Sequence, residues 1–305
     1  MTTKPPITVS YSELDTFRQC PLKHRLAYVL RWSKERTEGS ALARGTAWHT
    51  ILATHYHTLQ TATFGMTRTQ ILAASSQILD ECQVAVSLLL ADPNTGEMSE
   101  QQELLAWMYA GYVQYHGVDP DWRILGIEMK IRVPLLNEGG RVSRFEIKGV
   151  LDLVVRSRST GRMWIIDHKT GKDLPRDKDL DLDDQFGLYE WMWNRLNPDG
   201  RIQGTIHNAA RTYRTVKPAA LDTRFLRTPM SRTKSELDIL ALDAYRAARA
   251  AYGEHRDRPY SSPDPRQCGW KCDFRDVHLL ERKGVPIEST LADFGFTQYQ
   301  PKEKK

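Results

Sequence analysis

The sequence predicts an α/β fold in which a central mixed sheet is flanked by helices and preceded by a helical elaboration. Three observations carry this. Apolar residues in the first third of the chain recur at spacings of three and four. Around residue 122 the pattern changes to alternation by two, which persists to about residue 170. After that a helical pattern, a strand pattern and a second helical pattern follow in turn. With 305 residues, the chain is long enough to bury a large core.

Residues 1–10 are rich in Pro and Thr and read as extended. Ser12 reads as a helix N-cap, and Leu14, Phe17, Leu22, Leu26 and Leu30 give a helical pattern that Pro21 breaks in two. A polar linker at 37–43 precedes a helix at 45–59, spaced through Trp48, Ile51, Leu52, Tyr56 and Leu59. Further helices are expected at 67–90, ending before Asp92 and Pro93, and at 99–116. Residues 122–136 read as a long strand. Two more strands lie within 146–170, joined by the Ser, Thr and Gly of 157–161. An acidic linker at 179–184 leads to an aromatic-rich helix at 185–196, a strand at 202–213 and a long helix at 231–252. A Pro-rich coil at 256–266 and the tail PKEKK, expected to be disordered, close the chain. These readings divide it into a mostly helical region (1–120), an α/β core (121–255) and a Cys/His region with a basic tail (256–305).

The chemistry concentrates at 146–170. Asp152 and Asp167 fall on neighbouring strands, and Lys169 shares a strand face with Asp167 because side chains two apart point the same way. Such charges at the end of an apolar run are costly unless paired. Two carboxylates with an ammonium suit a hard divalent cation, and Glu128 on the preceding strand adds a further acid. Taken alone, the group also reads as surface hairpin acids with a salt-bridging lysine. His49, among Trp48, Ile51 and Leu52, reads by itself as a core or surface histidine, and His55 and His57 read as surface residues.

Several segments change the balance. G-V-L-D-L-V at 149–154, I-I-D-H-K-T-G at 165–171 and Q-F-G-L-Y at 185–189 stand in order, with fifteen residues from Asp152 to Asp167. S-E-L-D-T-F-R-Q-C-P at 12–21 and R-G-T-A-W-H at 44–49 precede them. Together, over about residues 12–280, they resemble the RecB/AddB-type branch of the PD-(D/E)XK nuclease superfamily, to which CRISPR-associated and phage exonucleases also belong. The resemblance implies a restriction-endonuclease-like core and a metal-dependent DNA exonuclease acting on single strands or DNA ends in recombination, replication or repair. A catalytically weak DNA-binding or scaffold subunit is the alternative. The resemblance further implies Mg²⁺ or Mn²⁺ held by His49, Asp152, Asp167 and the backbone carbonyl of His168. Lys169 would be the catalytic lysine, Glu128 an additional acid, and Gln185 and Tyr189, one helical turn apart and facing the same groove, would support the site or contact DNA.

The four cysteines are too few for a disulfide scaffold. Cys20, Cys268 and Cys272 resemble three ligands of the iron–sulfur region of that branch, and His278 stands where its last cysteine is expected. The set suits a [4Fe–4S] cluster, a closed tetrahedral Zn²⁺ site or buried thiols without a metal. Cys82 reads as an ordinary half-buried residue.

A formal charge of +5 and a pI near 8.9 are compatible with a polyanionic partner. Arg141, Arg144, Arg156, Arg158, Arg162, Lys172, Arg211, Arg214, Lys217, Arg224 and Arg227 are candidates for a phosphate-tracking groove, with Tyr213 and the Trp191/Trp193 pair as base platforms. The Trp pair also suits a core. No apolar run is long enough to span a membrane, and the start MTTKPPITVS has no apolar signal core, so a cytoplasmic location in a bacterium or a phage-infected host is expected. No P-loop motif is present, so unwinding would come from a helicase or recombination partner, and a homo-oligomer is compatible.

Overall fold

The computed structural model describes residues 5–35, 40–91, 96–214, 220–253, 255–256, 259–270 and 272–299. Asp92, Pro93, Lys217, the tail PKEKK and parts of the linkers expected at 37–43 and 256–266 lie outside the described residues. In chain order the elements are β1 (Ile7–Ser10), α1 (Tyr11–Gln19), α2 (Pro21–His24), a π-helical turn (Arg25–Val29), β2 (Trp32–Lys34), α3 (Ala41–Ala62), α4 (Arg68–Ala73), α5 (Ser75–Leu90) and α6 (Glu100–His116). Then come β3 (Trp122–Leu136), β4 (Val142–Ser157), β5 (Met163–Gly171), α7 (Asp177–Leu180), α8 (Asp184–Leu196), β6 (Ile202–Arg211) and β7 (Phe225–Met230). The chain continues through α9 (Lys234–Tyr252), α10 (Pro265–Trp270), α11 (Arg275–Glu281), α12 (Ile287–Thr290) and β8 (Phe296–Gln298).

Two compact units are built from interleaved segments. One gathers Glu38–Val133 and Gly149–Leu240. Its sheet is mixed: β4 runs antiparallel to β5, β5 parallel to β6, and β6 antiparallel to β7. Its core joins Trp48, Ile51, Leu52 and Tyr56 of α3, Ile78 and Cys82 of α5, and Leu105, Met108 and Tyr112 of α6 to Leu153, Val155, Ile166 and Phe225 of the strands. Burying a large apolar side chain of this kind contributes about 1.5–3 kcal/mol.

The other unit gathers Met1–Thr37, Pro134–Lys148 and Ala241–Lys305. Here β1 pairs in parallel with residues 145–148 of β4, and β2 pairs antiparallel with β8. Leu22, Leu26, Phe274, Val277, Ile287, Leu291 and Phe296 form its apolar cluster. Within it Glu13 accepts hydrogen bonds from buried His24 and from Tyr252, tying α1 and α2 to α9.

Several local expectations change. The N-cap of α1 is Ser10, whose hydroxyl accepts from the Glu13 amide, and not Ser12. The helix expected at 67–90 is two helices broken at Ala74. Thr67 and Gln70 form a capping box at the start of the first. The acidic linker at 179–184 overlaps the short helix α7. Strands β2 and β8 are three residues each, too short for periodicity to show. β7 carries Pro229, which is tolerated because, among the described residues, β7 bonds only to β6 and lies at a sheet edge.

Candidate active site

His49, Glu128 and Asp152 converge, with one ligand atom from each lying within 4.8 Å of the others. Each arrives on a long element. α3 buries Trp48, Ile51 and Leu52, which leaves His49 half-exposed beside the sheet. Its Nδ1 lies 3.3 Å from Asp152 Oδ1 and 4.0 Å from Glu128 Oε1. Glu128 lies within β3 with φ of 48°, a left-handed conformation that costs a non-glycine residue about 1–3 kcal/mol. Asp152 is fixed through Oδ2, which accepts the His168 amide at 2.7 Å, so Oδ1 meets the histidine.

Asp167 lies one step beyond the last β4–β5 register pair, Leu153 and Ile166. Its carboxylate pairs with Lys169 Nζ at 2.7 Å. Lys169 also donates to Gln185 Oε1 at 3.0 Å, and Gln185 Nε2 donates to Tyr189 Oη at 2.8 Å. Asp183 caps α8 by accepting from the Gln185 amide, which sets Gln185 in the first turn. Gly149 makes room for Tyr189: a Cβ there would sit 2.7 Å from the ring.

The charges are tuned by burial and by one another. Burial pushes Asp167 up to about 6, against the pull of Lys169 and with the help of Asp152. Burial opposes the Lys169 charge, yet Asp167 holds the ammonium above its ordinary range. Burial and the Asp152 charge raise Glu128. Burial is the largest single influence on both Asp152 and His49 and opposes their charges. For Asp152 the His49 hydrogen bond together with the attraction of His168 and His49 nevertheless holds the carboxyl low, and for His49 the same bond together with the charges of Asp152 and Asp167 raises the imidazole.

Behind the cluster lies a polar network that the sequence reading missed. The His168 ring is buried and stacks on Tyr56 with centroids 5.7 Å apart and planes 4° apart. Its Nδ1 accepts from Asn208 Nδ2 at 2.8 Å, which places the ring proton on Nε2. Asn208 also donates to Tyr112 and accepts from Arg227 Nε. Arg227 in turn grips Asp119 at 2.6 Å and donates to the hydroxyls of Tyr56 and Tyr112. Burial lowers His168 to about 3, so the ring is neutral. The sequence signal was a pair of polar residues, His207 and Asn208, within the apolar strand β6. Register places Asn208 directly beside His168.

The sequence profile of the PD-(D/E)XK nuclease superfamily matches residues 8–277. The chain belongs to the PD-(D/E)XK nuclease superfamily. No curated protein matches it. Among solved structures it is similar to a candidate exonuclease from Eubacterium rectale, with a TM-score of 0.48 and 13% identity over 88% of this chain and 86% of that one. It is also similar to SSO0001, with a TM-score of 0.34 and 15% identity over 88% and 84%. Nucleases of this superfamily use divalent metal ions, and the donor set of one imidazole and two carboxylates fits such an ion.

In this nuclease Cys20, Cys268, Cys272 and His278 line one cavity of about 250 Å³, within a single unit. Cys20 caps α2, Cys268 lies on α10, Cys272 precedes α11 and His278 lies on it. Burial pushes the Cys272 thiol up. Among the described residues, the three-member ligand grouping within 4.8 Å is that of His49, Glu128 and Asp152. Cys82 is fully buried, and its thiol points to the His55 carbonyl. His55 is buried too and bonds Tyr109 Oη at 3.0 Å, contrary to the surface position expected for it; His57 is exposed.

The basic set divides. Arg224 is buried with its guanidinium 3.6 Å from the Trp107 ring centre, and Arg227 is committed to Asp119, so neither faces a groove. Arg141, Arg144, Arg156, Arg162, Lys172 and Arg214 are exposed, as is Tyr213. Trp191 and Trp193 are buried core residues. Among the described residues no helix is long and apolar enough to cross a membrane.

Proposed function

We propose that this nuclease is a divalent-metal-dependent deoxyribonuclease acting as an exonuclease on single-stranded DNA or DNA ends, in recombination, replication or repair. The observation that carries the reading is the meeting of His49, Glu128 and Asp152 beside the Asp167–Lys169 pair. The order of motifs along the sequence supports the exonuclease form. A bound Mg²⁺ or Mn²⁺ supplies Lewis acidity toward the scissile phosphate. His49, Glu128, Asp152 and Asp167 would hold the ion, with the His168 carbonyl. Lys169, its charge held up by Asp167, donates a hydrogen bond that orients the attacking water and offsets charge growing on the phosphate. Gln185 and Tyr189 fix the direction in which that ammonium points.

The cavity lined by Cys20, Cys268, Cys272 and His278 would hold a structural metal. Three thiols and an imidazole suit a [4Fe–4S] cluster or Zn²⁺. Absorbance near about 400 nm in anaerobically purified protein, with iron and zinc analysis, separates the two.

The test of the nuclease reading is degradation of labelled single-stranded DNA in Mn²⁺ by the wild type, Asp167→Ala and Lys169→Ala. Loss of cleavage in both variants is expected. Equal activity in all three would remove the mechanism, and binding without cleavage under any divalent metal would favour a scaffold role.

A further inference from the structure

A second feature on α3 and β3 has the chemistry of a nucleic-acid subsite. Gln60 lies eleven residues beyond His49 on α3, which is about three turns, so the two point to the same face about 16 Å apart. At one end of this path His49 meets Glu128 of β3. At the other, Gln60 Nε2 donates to the Ile124 carbonyl of the same strand. A cavity of about 770 Å³ opens there, lined by the end of α3, the turn after it, the start of β3 and Arg158.

The composition of this cavity is unusual for a surface hollow. Phe64 is 87% exposed, the highest value among the exposed large apolar side chains of the described residues. A defined turn presents it: the Phe64 amide donates to the Thr61 carbonyl, the Met66 amide to the Thr63 carbonyl, and Gly65 takes the positive φ of 76° that the reversal needs. Two arginines, Arg123 and Arg158, line the cavity, and among the described residues no carboxylate does. Arg158 is held in place by its Nη1 donating to the Met66 carbonyl at 3.1 Å. A solvent-facing aromatic ring beside two guanidinium groups matches a base with its flanking phosphates. Single strands offer the ring an open base face, whereas a duplex keeps its bases stacked inside.

We propose that this cavity is a subsite for single-stranded nucleic acid, in which Phe64 stacks on a base and Arg123 and Arg158 take phosphates, about five nucleotides from the metal cluster at stacked spacing. The proposal rests on the nuclease reading and deepens it: the subsite makes the chain a reader of strand length and strandedness. Oligomers too short to reach from the cluster to Phe64 gain nothing from it.

The test uses the full chain as wild type, Phe64→Ala, Phe64→Trp and Arg123→Gln. Binding of labelled oligothymidylate of about twelve nucleotides is read by fluorescence anisotropy in EDTA, alongside Mn²⁺-dependent cleavage of that oligomer and of one of about three nucleotides. Phe64→Ala is expected to weaken binding of the long oligomer at least about five-fold, with Phe64→Trp restoring it. Cleavage of the short oligomer stays unchanged. Arg123→Gln is expected to reduce the slope of log affinity against log salt by about 0.7. If Phe64→Ala and Arg123→Gln bind the long oligomer as the wild type does, the subsite is overturned while wild-type cleavage leaves the nuclease reading standing. Equal weakening toward duplex DNA also overturns it. Because binding in EDTA needs no turnover, weakened binding by the variants supports the subsite even if the wild type cleaves nothing, an outcome that removes only the nuclease reading.

Discussion

The two ligand sets of this protein differ in what delivers them. His49, Glu128 and Asp152 sit on a 22-residue helix and on strands of 15 and 16 residues. Their side chains meet at ligand distance because each element is fixed along its length by packing and pairing. Cys20, Cys268, Cys272 and His278 come from a helix cap, a six-residue helix, a connecting residue and a seven-residue helix. They share a cavity without drawing together as closely. Long elements preorganise a site, whereas short ones gather donors that a bound ion would tighten.

The largest expected effect is on the preorganised set. Lys169→Ala should lower kcat for single-stranded DNA by about 10²–10³-fold with KM little changed, because the ammonium acts where charge develops. A variant with wild-type kcat would mean that the Asp167–Lys169 pair is structural.

The next tests whether preorganisation reaches back into the fold. Asn208→Ala removes the donor to His168 Nδ1 and leaves the Arg227 guanidinium short of one acceptor. About a ten-fold rise in the Mn²⁺ concentration for half-maximal cleavage is expected. An unchanged metal dependence with a lowered Tm would confine Asn208 to stability.

The Cys/His set should answer in the opposite way. Cys272→Ser is expected to reduce bound iron or zinc and lower Tm by about 5 °C, while a Lys169-dependent cleavage rate persists at lower temperature. Wild-type Tm and no bound metal in either protein would make the cysteines plain buried thiols.

The smallest effect is electrostatic and lies away from both sets. Burial raises the Glu190 carboxyl to about 7, and its Oε2 is buried without a partner. The folded chain therefore holds this proton to higher pH than the unfolded chain. Stability falls as pH rises from about 4.5 to about 7, and the cost is complete above that range. Glu190→Gln should raise Tm by a degree or two at pH near 8 and leave it unchanged near pH 4, as measured by thermal melts at both. A rise at both pH values would assign the gain to packing instead of charge.

Much of the fold was legible because its signals are local. Alternation by two marked β3, β4 and β5, and Ser99 with Gly117 bounded α6. What escaped was short or non-local: β7, β2 and β8, the break at Ala74, and the burial of His55. Polar residues in an apolar strand were visible at His207 and Asn208, but no pattern along one strand says which neighbour they face.

By itself the sequence determined the residue types of the site, their order and the strand face shared by Asp167 and Lys169, since side-chain direction along a strand is fixed by the backbone. Only the tertiary structure decided that Glu128 joins His49 and Asp152 through a left-handed kink. It alone also decided that Arg224 and Arg227 turn inward, and that His168 is locked by Asn208. Those outcomes depend on which elements pack or pair together, and pairing is settled by burial over the whole unit, not by any one segment.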